Sequence, residues 1–253
     1  MELSDRITVI TGGARGIGAE IAAELAAEGA TLVLTDIIED ELQKTVEDFK
    51  GKNVKVEGVT LDVGNEQQVI DAFKYIGEKY GTIEILINNA GISPKVNGKR
   101  RSTHEIPLDE WENVLNVNLT GTFLCTRESL PYMQRGGWGR IVNISSLAGR
   151  TSGRIAGSHY SASKSGMGGF TRTVASEYGS YGITANCIAP GRIESPMTKT
   201  STEEMNQKFI SEIPVGRSGT PKEVASLVSY LCSEKAGYIT GTTVDINGGI
   251  FMV

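Results

Sequence analysis

The chain has 253 residues, 39% hydrophobic and 22% charged, with 25 Lys and Arg against 30 Asp and Glu for a formal net charge of −5. That apolar fraction and small net charge exclude a disordered chain, and 31 Gly with 7 Pro in no three-residue period exclude a collagen-like one. Mild acidity argues against nucleic acid or an anionic membrane as the main partner.

The first predicted strand, 7–11, runs into Thr11-Gly12-Gly13-Ala14-Arg15-Gly16-Ile17-Gly18, and a predicted helix at 16–28 follows. Glycines at 12, 16 and 18 allow a tight turn, close approach of a pyrophosphate to the backbone, and close helix–strand packing. The helix N-terminus offers free N–H groups and a positive dipole end to phosphates. Such a turn is also an ordinary β–α connection. Its place between first strand and first helix is what favours a dinucleotide. The second strand, 31–35, ends at Asp36. An acidic residue about 20 positions beyond the glycine turn accepts hydrogen bonds from the adenosine ribose. A carboxylate there repels a 2′-phosphate, so Asp36 favours NAD over NADP, and Ile37 supplies no cation to neutralise it. Arg15 argues the other way, since a cation in the turn could meet that phosphate.

A helix at 40–50, a strand at 54–61, a helix at 66–80 and a strand at 83–88 continue the alternation. Asp62, closing the third strand, could reach the adenine ring. A long helix at 108–134, a strand at 140–144, a helix at 160–178, a strand at 184–188, a helix at 221–233 and a strand at 243–246 complete it. Several strands are apolar nearly throughout, the pattern of parallel strands buried on both faces. Alternating β and α implies right-handed crossovers and a doubly wound α/β sheet of about seven strands, in one domain over 1–253. Segments 92–107 and 192–214 break the rhythm. Each follows a strand, so both are expected to flank the ligand crevice at the carboxyl ends of the sheet.

Tyr160 and Lys164 stand four apart and share a helix face. The spacing alone carries little weight, because Tyr75 and Lys79 repeat it on a stretch that reads as a solvated face. Tyr160 differs in its setting, since the strand before it ends in Ser145 and Ser146. Cys125, Cys187 and Cys232 lie far apart and read as small buried hydrophobes in a reducing compartment. Two histidines exclude a His-rich metal centre, and no metal is expected. No secretory leader and no apolar run of about 18 residues is visible, so the expected location is the cytoplasm.

Taken in order, Thr11-Gly12-xxx-Gly16-x-Gly18, Asp62-Val63, Asn88-Asn89-Ala90-Gly91, Asn118-Leu119, Ser146, Tyr160-xxx-Lys164, Pro190-Gly191 and Asn247-Gly248-Gly249 resemble the short-chain dehydrogenase/reductase family over essentially the whole chain. The resemblance implies a Rossmann domain, a homotetramer, and a catalytic set of Asn118, Ser146, Tyr160 and Lys164. It selects Asn118 over the neighbouring Asn116, and Ser146 over Ser145. It implies cofactor contacts from Gly12, Arg15, Gly16, Ile17, Gly18, Asp36, Asp62, Val63, Asn89, Ala90, Gly91, Tyr160, Lys164, Pro190, Gly191 and Ile193. Free phenol titrates near pH 10, too high for an efficient base at neutral pH. The Lys164 ammonium is expected to favour the Tyr160 phenolate, which exchanges a proton with the alcohol. Ser146 would orient the substrate oxygen, and Asn118 would anchor a water in the proton relay.

Lys95, Arg100, Arg101 and His104 in the segment after strand four, Arg150 and Arg154 before Tyr160, and Arg192 after Pro190-Gly191 gather positive charge. An anionic substrate is one reading of this grouping. Solvated loops or subunit contacts are the other. The leading expectation is an NAD-dependent dehydrogenase or reductase acting on a secondary alcohol or carbonyl, with NADP less favoured. The alternatives are an NADPH-dependent 3-oxoacyl-carrier-protein reductase and a non-catalytic cofactor-binding sensor.

Overall fold

The computed structural model describes residues 2–152, 155–194, 207 and 209–252. Seven strands, β1 Ile7–Thr11, β2 Thr31–Asp36, β3 Val56–Thr60, β4 Ile85–Asn88, β5 Gly139–Ile144, β6 Ile183–Pro190 and β7 Thr243–Ile246, form one sheet. The order is β3-β2-β1-β4-β5-β6-β7, and every neighbouring pair is parallel. The chain winds outward from β1 in one direction and from β4 in the other. The switch point between them is where an open α/β sheet holds its ligand.

Helices α1 Gly16–Ala27, α2 Glu39–Lys50, α3 Glu66–Tyr80, α4 Leu108–Leu115, α5 Gly121–Gly136, α6 Ser158–Tyr178 and α7 Pro221–Cys232 connect the strands. Side chains alternate across a strand, which divides the core between the two faces. Leu32 and Leu34 join Ile21, Leu25, Leu42 and Val228 beneath α1, α2 and α7. Val33, between them, joins Phe73, Ile76, Leu124 and Val174 beneath α3, α5 and α6. Strands β1, β4, β5 and β6 are buried at every residue, whereas the outermost strands β3 and β7 are partly exposed. That is why the inner strands read as continuous apolar runs.

The long helix expected at 108–134 is three pieces: α4, a π-helical turn at Asn116–Thr120, and α5, which runs on to Gly136. Widening one turn shifts the hydrogen-bond register without ending the helix, so an amphipathic pattern does not betray it. Beneath the switch point a polar chain crosses the core. Asn88 Nδ2 donates to Thr126 Oγ1 at 3.1 Å and to Asn143 Oδ1 at 2.8 Å, and Asn143 Nδ2 donates to Thr171 Oγ1 at 2.8 Å. All three cysteines are free and buried. Burial pushes the Cys125 and Cys232 thiols up to about 12, so both behave as packing groups.

Candidate active site

A cleft of about 750 Å³ runs across the switch point, from Asp36, Ile37 and Ile38 at one end to Ser146, Tyr160 and Lys164 at the other. At its floor Gly12 and Gly16 have φ of 63° and 59°, a region in which a side chain is strained. Gly18 does not line the cleft. Its place requires glycine because a Cβ there would stand 2.1 Å from the Gly12 carbonyl oxygen, so it presses α1 onto the turn. No side chain caps α1, which leaves its first-turn amides to phosphate oxygens. Asn89 fastens this turn to the end of β4. Its Nδ2 donates to the carbonyls of Thr11 at 3.1 Å and Gly12 at 2.8 Å. Thr11 Oγ1 accepts from the Asn89 and Ala90 amides at 3.1 Å each.

The Asp36 carboxylate is held by backbone, accepting from Ala14 N and Ile38 N at 3.2 Å each. It lines the cleft together with Arg15, Ile17, Asp62, Val63, Ala90 and Gly91. Asp62 Oδ1 also accepts from Gly64 N at 2.9 Å. Leu61, Ile38 and Val117 line this end as well. Sequence reading missed them, because an apolar residue at a strand end or on a helix carries no signal of facing a ligand.

The neighbours that compete in sequence go to separate tasks. Asn116 Nδ2 donates to the Gly64 carbonyl at 2.9 Å and holds the turn after β3. Asn118, fully buried, clasps Ile92 by both backbone groups. Its Oδ1 accepts from Ile92 N at 2.8 Å, and its Nδ2 donates to Ile92 O at 3.0 Å and to Ser163 Oγ at 3.1 Å. Ser145 Oγ donates to the Lys164 carbonyl at 2.9 Å. Ser146 lines the cleft beside Ser145 and Tyr160, and its Oγ accepts from Ala148 N at 3.1 Å.

Burial raises the Tyr160 phenol above its ordinary value, and the neighbouring Ser146 hydroxyl opposes the rise. Lys164 is 4% exposed and donates to the Ile144 carbonyl at 2.7 Å, and burial pulls its ammonium down to about 8. Burial thus works against the phenolate that the Lys164 ammonium is expected to favour. Desolvation acts on both groups and drives each toward its neutral form. The Tyr75 and Lys79 pair instead shares Glu57 of strand β3, at 2.6 and 2.8 Å.

The basic grouping separates. Arg150 is held by Asp245 of β7 in a two-point contact at 3.2 and 3.1 Å. Arg101 donates to Glu110 of α4 at 3.1 Å. Both guanidiniums are therefore spent on carboxylates of this chain, not placed on the cleft. Arg100 and His104 are exposed, and Arg154 lies outside the described residues, as does most of 192–214. Arg192 is buried and Lys95 is partly so, and burial, then the Arg192 charge, lowers the Lys95 ammonium. Pro190 lines the cleft, whereas Gly191 and Ile193 do not. Gly191 N bonds the Ile246 carbonyl at 2.9 Å and the Ile193 side chain packs into the core.

This fold, with its glycine turn at the switch point and a Ser, Tyr and Lys converging on one cleft, defines a dinucleotide-dependent oxidoreductase. A family model described as enoyl-(acyl carrier protein) reductase matches residues 12–251. The chain belongs to the short-chain dehydrogenase/reductase family. It is 42% identical over 252 residues to the 3-oxoacyl-(acyl-carrier-protein) reductase FabG of Aquifex aeolicus, covering 99% of each chain. It is 37% identical over 249 residues to the (2S)-((R)-hydroxy(phenyl)methyl)succinyl-CoA dehydrogenase subunit BbsD of Thauera aromatica, covering 98% of each. A 3-oxoacyl-(acyl-carrier protein) reductase from Brucella melitensis solved with bound NAD superposes with a TM-score of 0.93 at 38% identity, covering 100% of this chain and 93% of that one. The residues here fit a nicotinamide dinucleotide: Gly12 and Gly16 line the cleft without side chains at the uncapped start of α1, where a pyrophosphate must come close to backbone.

Proposed function

We propose that the protein interconverts a 3-oxoacyl thioester and its 3-hydroxyacyl form with NAD(H). The carrying observation is the single cleft that joins Asp36 at one end to Ser146, Tyr160 and Lys164 at the other. The relatives move the substrate from an unspecified secondary alcohol to an acyl thioester: one is named for an acyl-carrier-protein substrate, another for a CoA substrate. Asp36 keeps the cofactor at NAD, because its carboxylate is fixed where a 2′-phosphate would meet it. The bound cofactor supplies the hydride exchange.

In this reading Tyr160 gives its phenolic proton to the substrate oxygen during reduction and takes it back during oxidation. Ser146 hydrogen-bonds the same oxygen and orients it. Lys164 would hold the nicotinamide ribose and relay the proton. Asn118, with its side chain committed to Ile92 and Ser163, acts by fixing the wall of the cleft. The same reading makes the protein a homotetramer of one-domain chains spanning 1–253, working in the cytoplasm. Leu108 and Met252, 70% and 79% exposed, offer apolar contact between subunits.

The test is oxidation of a panel by NAD: 3-hydroxybutyryl-CoA, a carboxylated 3-hydroxyacyl-CoA, gluconate and neutral polyols. The 3-hydroxyacyl thioesters should turn over best. Faster turnover of gluconate or polyols overturns the proposal.

A further inference from the structure

His159 immediately precedes Tyr160 and is the second residue of α6. It is 1% exposed. An N–H in the first turn of a helix has no carbonyl of that helix to bond. The amide of Tyr160 is one of these, and it donates to His159 Nδ1 at 2.7 Å. With Nδ1 accepting, the ring proton stands on Nε2, which donates to Glu110 Oε1 of α4 at 3.2 Å. The other oxygen of that carboxylate accepts from Arg101 Nε at 3.1 Å. A continuous line thus runs from Arg101, in the segment after β4, through Glu110 and His159 to the backbone N–H of Tyr160.

The other side of Tyr160 is held in parallel. Its carbonyl accepts from Ser163 Oγ at 2.8 Å, Ser163 Oγ accepts from Asn118 Nδ2 at 3.1 Å, and Asn118 clasps Ile92 at the start of the same segment. Both peptide groups of Tyr160 are therefore anchored by side chains, and both anchors end on residues 92 and 101.

We propose that His159, oriented by Glu110, is a positioning residue that sets the phenol of Tyr160 against the substrate oxygen and ties it to the segment forming the cleft wall. This rests on the proposed proton transfer by Tyr160. A displacement near 1 Å at a reacting group can cost about a hundredfold in rate. Loss of this anchor therefore acts on kcat and leaves the distant adenosine end alone.

The test compares variants in reduction of acetoacetyl-CoA by NADH. His159→Leu removes both bonds. His159→Asn keeps an acceptor, Oδ1, at the position of Nδ1 and gives up Glu110. We expect His159→Leu to lower kcat about tenfold or more, with the KM for NADH unchanged within about twofold, and His159→Asn to recover most of the loss. Full kcat in folded His159→Leu overturns the proposal. So does a His159→Asn as slow as His159→Leu, which would make the ring a packing group. If His159→Leu does not fold, His159→Gln, which still reaches Glu110 but has no acceptor at the position of Nδ1, carries the test: a fall in kcat at constant KM for NADH supports the proposal, and unchanged kcat overturns it. Tyr160→Phe, run beside these, separates the two ideas. Turnover in Tyr160→Phe defeats the proton-transfer reading itself, whereas an inactive Tyr160→Phe with a fully active His159→Leu defeats only the positioning role.

Discussion

Lys164 and Tyr160 face opposite ionic demands inside the same packed wall. Burial lowers the ammonium from 10.5 to about 8 and raises the phenol. Between pH 8 and pH 10 the unfolded chain therefore binds a proton at Lys164 that the folded chain has released, so stability rises with pH across that window. One pKa unit is worth about 1.4 kcal/mol. Relative to Lys164→Met, the native protein should gain about 2–3 kcal/mol from pH 8 to pH 10 in urea melts. A constant difference between the two would contradict a buried, depressed ammonium. The raised phenol has a kinetic counterpart. Reduction, which needs the phenol protonated, should hold its rate into mildly alkaline pH, while oxidation should climb with pH over the same range. Tyr160→Phe should abolish both directions while NAD still binds in a fluorescence titration. At the other end of the cleft, Asp36→Ala should weaken the preference for NADH over NADPH by about tenfold, roughly the worth of one hydrogen bond.

At the scale of elements, the glycine turn and the polar chain below it decide whether the cleft exists. Gly18→Ala places a Cβ 2.1 Å from the Gly12 carbonyl oxygen. Helix or turn must shift, at a cost of about 1–3 kcal/mol, and NAD affinity should fall further than in Gly136→Ala, where nothing stands within 4 Å of the added atom. Equal effects at the two sites would contradict the packing role. The sequence made much of this level legible. Fully buried inner strands leave unbroken apolar runs, and the glycines stand where strand hands over to helix. The π turn at Asn116–Thr120 stayed hidden, because five residues of altered hydrogen bonding leave the apolar face of the helix nearly unchanged. The division of labour between Asn116 and Asn118 follows from that turn, which directs one to Gly64 and the other to Ile92.

At the scale of the molecule, charge was the least legible property. Seven basic residues fall in three loops near one end of the sheet, and sequence gives no direction to any of them. The fold brings Asp245 to Arg150 and Glu110 to Arg101. Asp245 lies 95 positions away along the chain, and no local pattern announces that pairing. Among the six that are described, burial lowers the Lys95 ammonium and the Arg192 guanidinium. His159 was passed over for the same reason: its importance lies in what α4 presents to it. The proposed reaction joins the two ends of the cleft, with an acyl thioester at Tyr160 and NAD(H) at Asp36. Its most direct test is kcat/KM for acetoacetyl-CoA reduction with NADH against NADPH. Ready turnover and a preference for NADH of about tenfold or more are expected, because a fixed carboxylate would meet the 2′-phosphate. A preference for NADPH, or no turnover of the thioester with either cofactor, would contradict it.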